Sequence, residues 1–336
     1  MEKFELELAA NIQIDHITYG IFSGLDTIRN AYYNELAQIA SDLKFPLEEY
    51  GCYPVSIQIG EMIPSDFGHI GSLKISTSVT IDPQKFPVST TVDNEVQTPK
   101  DVNAYKALIR MSLPFVYRKS VCDFLVLSQL CYPGAIQTCK IEIMINGQVQ
   151  IAPFELNSIL PQAIVEHKDK AWPPISTLSL KKTIQWLSDS KSLIPLISKT
   201  NVERAIAAFS NLFQAGGLAE LTLLWTMVGI EALFSKSKQG IMEQIREKIH
   251  VLIGYPETHK KRLSAMYDYR SKFIHGATEI PANHYGMLFK TEKVVSAESE
   301  TWETVTFSAV LLTSCLQKIV TLERRDLSFD YTLAAT

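Results

Sequence analysis

The sequence predicts an α+β N-terminal part followed by an all-α helical bundle, on three observations. Runs that alternate apolar and polar residues, rich in Val, Ile, Ser and Thr, all lie before Phe154. A charged stretch containing Pro173-Pro174 follows, and proline disfavours helix in the residue before it. Beyond that stretch strand signals almost vanish, and six runs of helical periodicity succeed one another. A chain of 336 residues favours two domains over one. The expected organisation is an α+β domain over 1–165, a linker over 166–176 and the helical bundle over 177–336.

Taken in order, Thr27 to Leu43 reads as a helix with Ile28, Tyr32, Leu36, Ile39 and Leu43 on one stripe. Residues 53–62 and 71–83 read as strands. Residues 104–115 and 120–134 read as two helices, the second ended by Pro133-Gly134. Residues 139–154 hold two alternating runs about Asn146-Gly147, the pair a two-residue hairpin requires. In the second part, 176–190 opens the helical series. Thr200 or Asn201 can cap the next helix, which Gly216-Gly217 stops. Residues 218–235 are apolar nearly all round and are expected to form the buried central helix. Residues 240–254 place Ile241, Ile245, Ile249 and Leu252 inward. Residues 257–276 offer Leu263, Met266, Tyr267, Phe273 and Ile274 as apolar contacts. The last helix, 301–326, has Thr301 as its cap and Arg324-Arg325 at its C-terminal dipole.

Composition narrows the function classes. The longest apolar run, Leu221 to Ile230, is shorter than the roughly 18–20 residues that span a bilayer. The acidic start MEKFELELAA has no signal-peptide core, so a cytoplasmic protein without membrane contact is expected. Five cysteines with no C-x-x-C pair argue against a disulfide framework or a zinc site, and buried reduced thiols are expected. Residues 1–165 carry 11 Lys+Arg against 18 Asp+Glu, a charge of −7, and 166–336 carry 21 against 18, a charge of +3. The window Lys236 to Lys272 holds nine basic and four acidic residues. It reads either as a site for a polyanion or as a solvated helix surface.

The chemistry-bearing stretch is YDYRSKFIHG, Tyr267 to Gly276. Gly276 is placed to end the helix, and His275 sits in the last turn. One reading is structural: His275 answers the unpaired carbonyls of the helix end, and Arg270 covers apolar surface. The other makes Arg270 and His275 a catalytic pair. Glu231 lies near the end of an apolar helix, where an unpaired carboxylate is costly. One reading is a buried ion pair with a bundle arginine; the sharper one is that the partner is Arg270, whose guanidinium it would orient, and both can hold together. Arg246 and His250 share a helix face at i, i+4 but lie mid-helix with no terminal glycine. The remaining histidines read as surface or packing residues.

From about Leu178 to Arg325 the chain resembles a HEPN domain, in particular the Apea-like branch found in prokaryotic anti-phage proteins. VGIEALFS (Val228 to Ser235) and MYDYRSKFIHG (Met266 to Gly276) carry the resemblance, the second matching the family's R-x4-6-H motif. The bundle over 177–336 is thus expected to be HEPN-like. The N-terminal part resembles no family, and it is expected to sense or regulate.

The resemblance implies an endoribonuclease that needs no metal and no cofactor, acting as a toxin or anti-phage effector. His275 would be the general base, or the acid for the leaving 5′-oxygen, since histidine is the side chain type suited to proton transfer near neutral pH. Arg270 would hold the scissile phosphate through its fork of donors. Glu231 and Ser271 would support them, and Lys272 and Arg262 would contact RNA. The products would be a 2′,3′-cyclic phosphate and a 5′-hydroxyl. Expected partners are RNA, a second copy of the chain through the helical part, and an activating protein or small ligand at the N-terminal part. Many active members carry Asn, Asp or His after the arginine, where this chain has Ser271. The alternative is a catalytically silent HEPN module that binds RNA, a nucleotide or a protein. A fragment of about 176–336 is expected to fold without the N-terminal part.

Overall fold

Strand β1 (Phe4–Ile17) is the central strand of the sheet, although its alternation was not among the expected strand signals. Leu6, Leu8, Ala10, Ile12 and Ile14 point inward at period two and are buried. The computed structural model describes residues 3–17, 24–66, 68–83, 90–92, 95–97, 101–213, 219–235, 240–254, 259–277 and 292–329. Within them the chain forms two units. Unit 1 is Met1–Leu156 with Ser179–Leu196, and unit 2 is Asn157–Leu178 with Ile197–Thr336.

Unit 1 follows β1 with helix α1 (Asp26–Ile39), a small pair β2 (Lys44–Pro46) and β3 (Cys52–Pro54), and strands β4 (Ser56–Ile59), β5 (Ile63–Ser65) and β6 (Gly68–Ile81). A second small pair, β7 (Thr90–Val92) and β8 (Glu95–Gln97), precedes helix α2 (Val102–Cys131) and the hairpin β9 (Thr138–Ile145) and β10 (Gln148–Asn157). The main sheet has the order β10-β9-β1-β6-β4, with β5 also on β6. β1 pairs antiparallel with β6 from Phe4↔Ile81 to Ile17↔Gly68, and with β9 from Leu8↔Ile145 to Asp15↔Thr138. Asn146 and Gly147 take positive φ of 47° and 76°, as the two-residue hairpin requires.

Helix α2 runs unbroken where two helices were expected, with Pro114 inside it. Tyr105, Ile109, Leu113, Tyr117 and Val121 recur at four-residue spacing and are all buried. That single stripe, with the Tyr117 hydroxyl donating to the Ile75 carbonyl at 2.7 Å, carries the helix across the proline. Asp101 caps its start, accepting from the Asn103 and Ala104 N–H groups.

Helix α4 (Leu180–Leu187) was expected in the bundle but belongs to unit 1. The Glu35 carboxylate on α1 accepts from the Leu180 N–H at 2.9 Å, the Ser179 hydroxyl at 2.9 Å and the Tyr132 hydroxyl at 2.6 Å. A negative charge at a helix N-terminus is doubly favoured, by donors and by dipole. Buried Asp123 on α2 then accepts from the Ile194 N–H at 3.1 Å and pairs with Lys119.

Unit 2 contains α3 (Leu160–His167), α5 (Asn201–Asn211), α6 (Ala219–Phe234), α7 (Ile241–Ile253), α8 (Lys260–Ile274) and α9 (Glu292–Thr321). The expected linker 166–176 is part of this unit. The Trp172 indole N–H donates to the Gly254 carbonyl, and its ring stacks on His259 at 5.0 Å. Gln317 on α9 accepts from the Ser176 N–H and donates to the Ser176 carbonyl. A fragment starting at 176 therefore lacks α3 and Trp172, both built into the unit. Charge follows the new division. Unit 1 holds 14 basic and 19 acidic residues, −5, and unit 2 holds 18 and 17, +1.

The buried central helix is α9 rather than α6. Residues Ser299–Thr321 are long and apolar enough to cross a membrane, but 83% of that apolar window is buried inside the protein. Thr301 is not a cap; it lies inside α9 and bonds the Tyr269 hydroxyl. Arg324 and Arg325 lie beyond the helix end. Helix α6 packs one side on α5 and α9 and leaves Leu221, Leu224 and Val228 each about two-fifths exposed. Gly229 makes the α9 approach close: a Cβ there would lie 2.8 Å from Leu312 Cδ2. Thr200 caps α5 in a capping box with Glu203. The expected stop at Gly216-Gly217 lies outside the described residues.

Candidate functional site

Helix α8 buries Leu263, Met266 and Tyr269. Of its other expected apolar contacts, Tyr267 and Phe273 are half-buried and Ile274 is exposed. This rotation turns Arg270 toward α6. Its Nη2 lies 3.1 Å from Glu231 Oε1 and 3.4 Å from Oε2, and the Oε2 contact has hydrogen-bond alignment. Both side chains are about a quarter exposed. Glu231 therefore has the partner that the sequence suggested. The Nε of Arg270 is buried with no hydrogen-bond partner among the described residues. Tyr267, which sequence reasoning had placed only as an apolar contact, puts its ring 5.9 Å from the guanidinium carbon. The carboxylate has two opposed effects. It fixes the guanidinium plane, and it screens the charge a phosphate would meet.

His275 is the C-cap of α8. The Gly276 N–H donates to the Phe273 carbonyl at 3.2 Å and the Ala277 N–H to the Lys272 carbonyl at 2.7 Å. With Gly276 at φ +67°, these two bonds make a Schellman ending. The last carbonyls are thus answered by backbone. The His275 ring is exposed and makes no hydrogen bond or ion pair among the described residues. Five residues on a helix separate two side chains by about 140°, so Arg270 and His275 do not share a face. The structure joins Arg270 to Glu231 and joins His275 to neither.

The other candidates divide. Ser271 is half-buried, and its carbonyl accepts from the His275 N–H at 3.1 Å. Lys272 is exposed on the last turn. Arg262 is placed differently from an RNA contact. Its guanidinium sits 4.3 Å over the Phe307 ring on α9, where burial lowers its pKa against the opposing pull of Glu303 and Glu166. Arg246 bonds Ser264 on α8 and Glu243 on its own helix, which ties α7 to α8. Lys248 is buried, donates to the Phe234 carbonyl at the end of α6, and lies 5.5 Å from the Phe329 ring. Four of the nine basic residues in the 236–272 window are thus engaged in packing or pairing, which leaves Lys260, Lys261 and Lys272 as its exposed cations among the described residues.

Among the described residues no group of three or more His, Cys, Asp and Glu side chains is placed to hold a metal ion. Cys131, Cys139 and Cys315 are buried thiols, Cys122 is half-buried and Cys52 exposed. Burial pushes the Cys122 thiol up to about 11 and those of Cys131 and Cys139 up to about 12, which leaves them protonated at neutral pH. The chain matches no protein-family model, no curated protein and no solved structure.

Proposed function

We propose that this protein is a HEPN-type endoribonuclease that cuts RNA without a metal, serves as a toxin or anti-phage effector in the cytoplasm, and is regulated through unit 1. The observation that carries the reading is the pairing of a carboxylate-oriented guanidinium, Arg270 with Glu231 at 3.1 Å, with an exposed imidazole that has no partner among the described residues, on the last turn of the same helix. In the reaction the ribose 2′-oxygen attacks the adjacent phosphorus and the P–O5′ bond breaks. His275 takes the 2′-hydroxyl proton, and one proton is returned to the leaving 5′-oxygen. Arg270 holds the non-bridging oxygens as their charge grows. Lys272, exposed beside the site, draws in the RNA backbone.

The proposed unit is a homodimer through unit 2. Arg270 and His275 diverge on one helix, so a productive pair needs an arginine from one copy and a histidine from the other. The exposed stripe Leu221, Leu224 and Val228 on α6 supports this, because it lies on the helix that carries Glu231. Apolar residues at i, i+3 and i+7 suit a second helix.

The second reading is a catalytically silent module that binds RNA, a nucleotide or a protein. Ser271 favours it, because its short side chain makes no hydrogen bond to Arg270 or His275. Incubation of the purified protein with total RNA in EDTA separates the two. The ribonuclease reading expects cleavage that His275→Ala and Arg270→Ala both abolish, with 2′,3′-cyclic phosphate ends. Cleavage only with added divalent metal, or undiminished cleavage by His275→Ala, removes it. RNA retention without cleavage selects the silent module.

A further inference from the structure

The open face of the unit 1 sheet carries a groove of about 700 Å³ that the ribonuclease chemistry does not use. Register alone sets its floor. Gln58, Lys74, Asn11 and Glu142 form one row across β4, β6, β1 and β9, and Ser72, Gln13 and Lys140 form the next across β6, β1 and β9. Directly opposed residues share a face, so these side chains stand together on the side away from the core. Lys74 and Lys140 make no ion pair or hydrogen bond among the described residues. Two strand spacings and two residues of offset put their Cα atoms about 12 Å apart. Two flexible four-carbon stems can close most of that distance onto one anion above Ser72 and Gln13.

One wall is apolar. Ile63 is 59% exposed and stands directly opposite Ile70, which shares the open-face parity of Ser72 and Lys74 on β6. Gly60 lets this wall stand against the sheet, since a Cβ there would meet Ser72 Oγ at 2.0 Å and its N–H donates to the Ser72 carbonyl at 2.9 Å. The amides of Asn11, Gln13 and Gln58 offer donors and acceptors together. A second depression of about 820 Å³ on the unit is lined by Glu5 and Glu7 with no cation, so it repels anions.

We propose that this groove binds a mononucleotide, with phosphate on Lys74 and Lys140, the planar base against Ile63 and Ile70, and base edges read by the amides. A volume of this size fits one such ligand. Glu142, whose carboxylate accepts from Asn11 Nδ2 at 3.4 Å, is the negative group in the groove and limits how many phosphates it admits. The site lies wholly in unit 1, and its test is read without RNA, so it stands or falls separately from the ribonuclease reading.

The test is isothermal titration calorimetry of the full chain with ADP, AMP, adenosine and inorganic phosphate as separate probes. The expected result is one ADP or AMP site per chain, with adenosine and phosphate each at least about tenfold weaker. Lys74→Ala with Lys140→Ala should weaken nucleotide binding about tenfold or more, and Ile63→Ser with Ile70→Ser should also weaken it. Lys182→Ala, exposed elsewhere on unit 1, should bind as the parent does. Circular dichroism establishes that each variant is folded. Three results overturn the proposal: no nucleotide binding, phosphate binding as tight as nucleotide, or undiminished binding by the folded double lysine variant.

Discussion

Acid should weaken unit 1 through a single histidine. His16 continues the inward series of β1 and is 2% exposed. Its Nε2 hydrogen-bonds the Tyr33 hydroxyl at 2.7 Å, and its Nδ1 is buried with no partner among the described residues. Gly71 makes room for that bond, because a Cβ there would lie 2.7 Å from the Tyr33 hydroxyl. Burial first, then the charges of Arg29 on α1 and His69 opposite on β6, lower the His16 pKa from 6.5 to about 4. Below pH 6.5 the unfolded chain binds a proton that the folded chain refuses. The contribution is therefore complete above pH 6.5 and is lost as pH falls toward 4. At about 1.4 kcal/mol per pKa unit the full effect is about 3 kcal/mol, of which about 2 kcal/mol disappears between pH 7.5 and 5. His16→Gln removes the titration and should be less stable than the parent at pH 7.5 by about 1 kcal/mol. Urea denaturation of both proteins across that range, followed by circular dichroism, measures the difference. The gap should narrow, then reverse, as pH falls. A gap that stays constant from pH 7.5 to 5 refutes the reasoning, whatever its size.

Three further outcomes follow from contacts described above. Glu231→Gln should cut RNA cleavage about tenfold by loosening the Arg270 plane; an unchanged rate in single-turnover assays shows that the carboxylate only packs. Gly276→Ala forces a side chain into φ +67° with no atom within 4 Å of the new Cβ, so the cost is backbone strain alone, about 1 kcal/mol. Gly276→Asn should be milder, and hydrogen exchange at the end of α8 reads both; equal protection in all three proteins counts against the Schellman ending. Mixed Arg270→Ala and His275→Ala chains should recover part of the cleavage that each lacks alone, and Leu224→Lys with Val228→Glu should yield monomers by light scattering. A monomeric parent that still cuts RNA removes the dimer.

Local order was legible in the sequence where the signal is local. The Asn146-Gly147 hairpin, the Thr200 cap and the Gly276 stop depend on the φ and hydrogen-bonding capacity of one or two residues, and each is present in the structure. The pairing of Glu231 with Arg270 was legible for a related reason: a carboxylate among apolar residues has few partners to choose from. His275 could be located on its helix from Gly276, but its exposure could not.

What only the tertiary structure decided is which surfaces face each other. Residues 104–115 and 120–134 read as separate helices, yet a buried stripe from Tyr105 to Val121 joins them into α2. An evenly apolar α6 looked central, yet α9 takes the core and α6 keeps an open stripe; composition gives a helix no direction when every side is apolar. Arg262 and Lys248 counted as surface charge until Phe307 and the Phe234 carbonyl claimed them. The compact units divide elsewhere than at 165 for the same cause. Glu35 draws α4 into unit 1, and Gly254 and Gln317 draw Trp172 and Ser176 into unit 2, through partners 82 to 145 residues away in the chain. Periodicity and capping act within a few residues, whereas burial and buried hydrogen bonds are satisfied by whatever the fold brings near, at any separation along the chain.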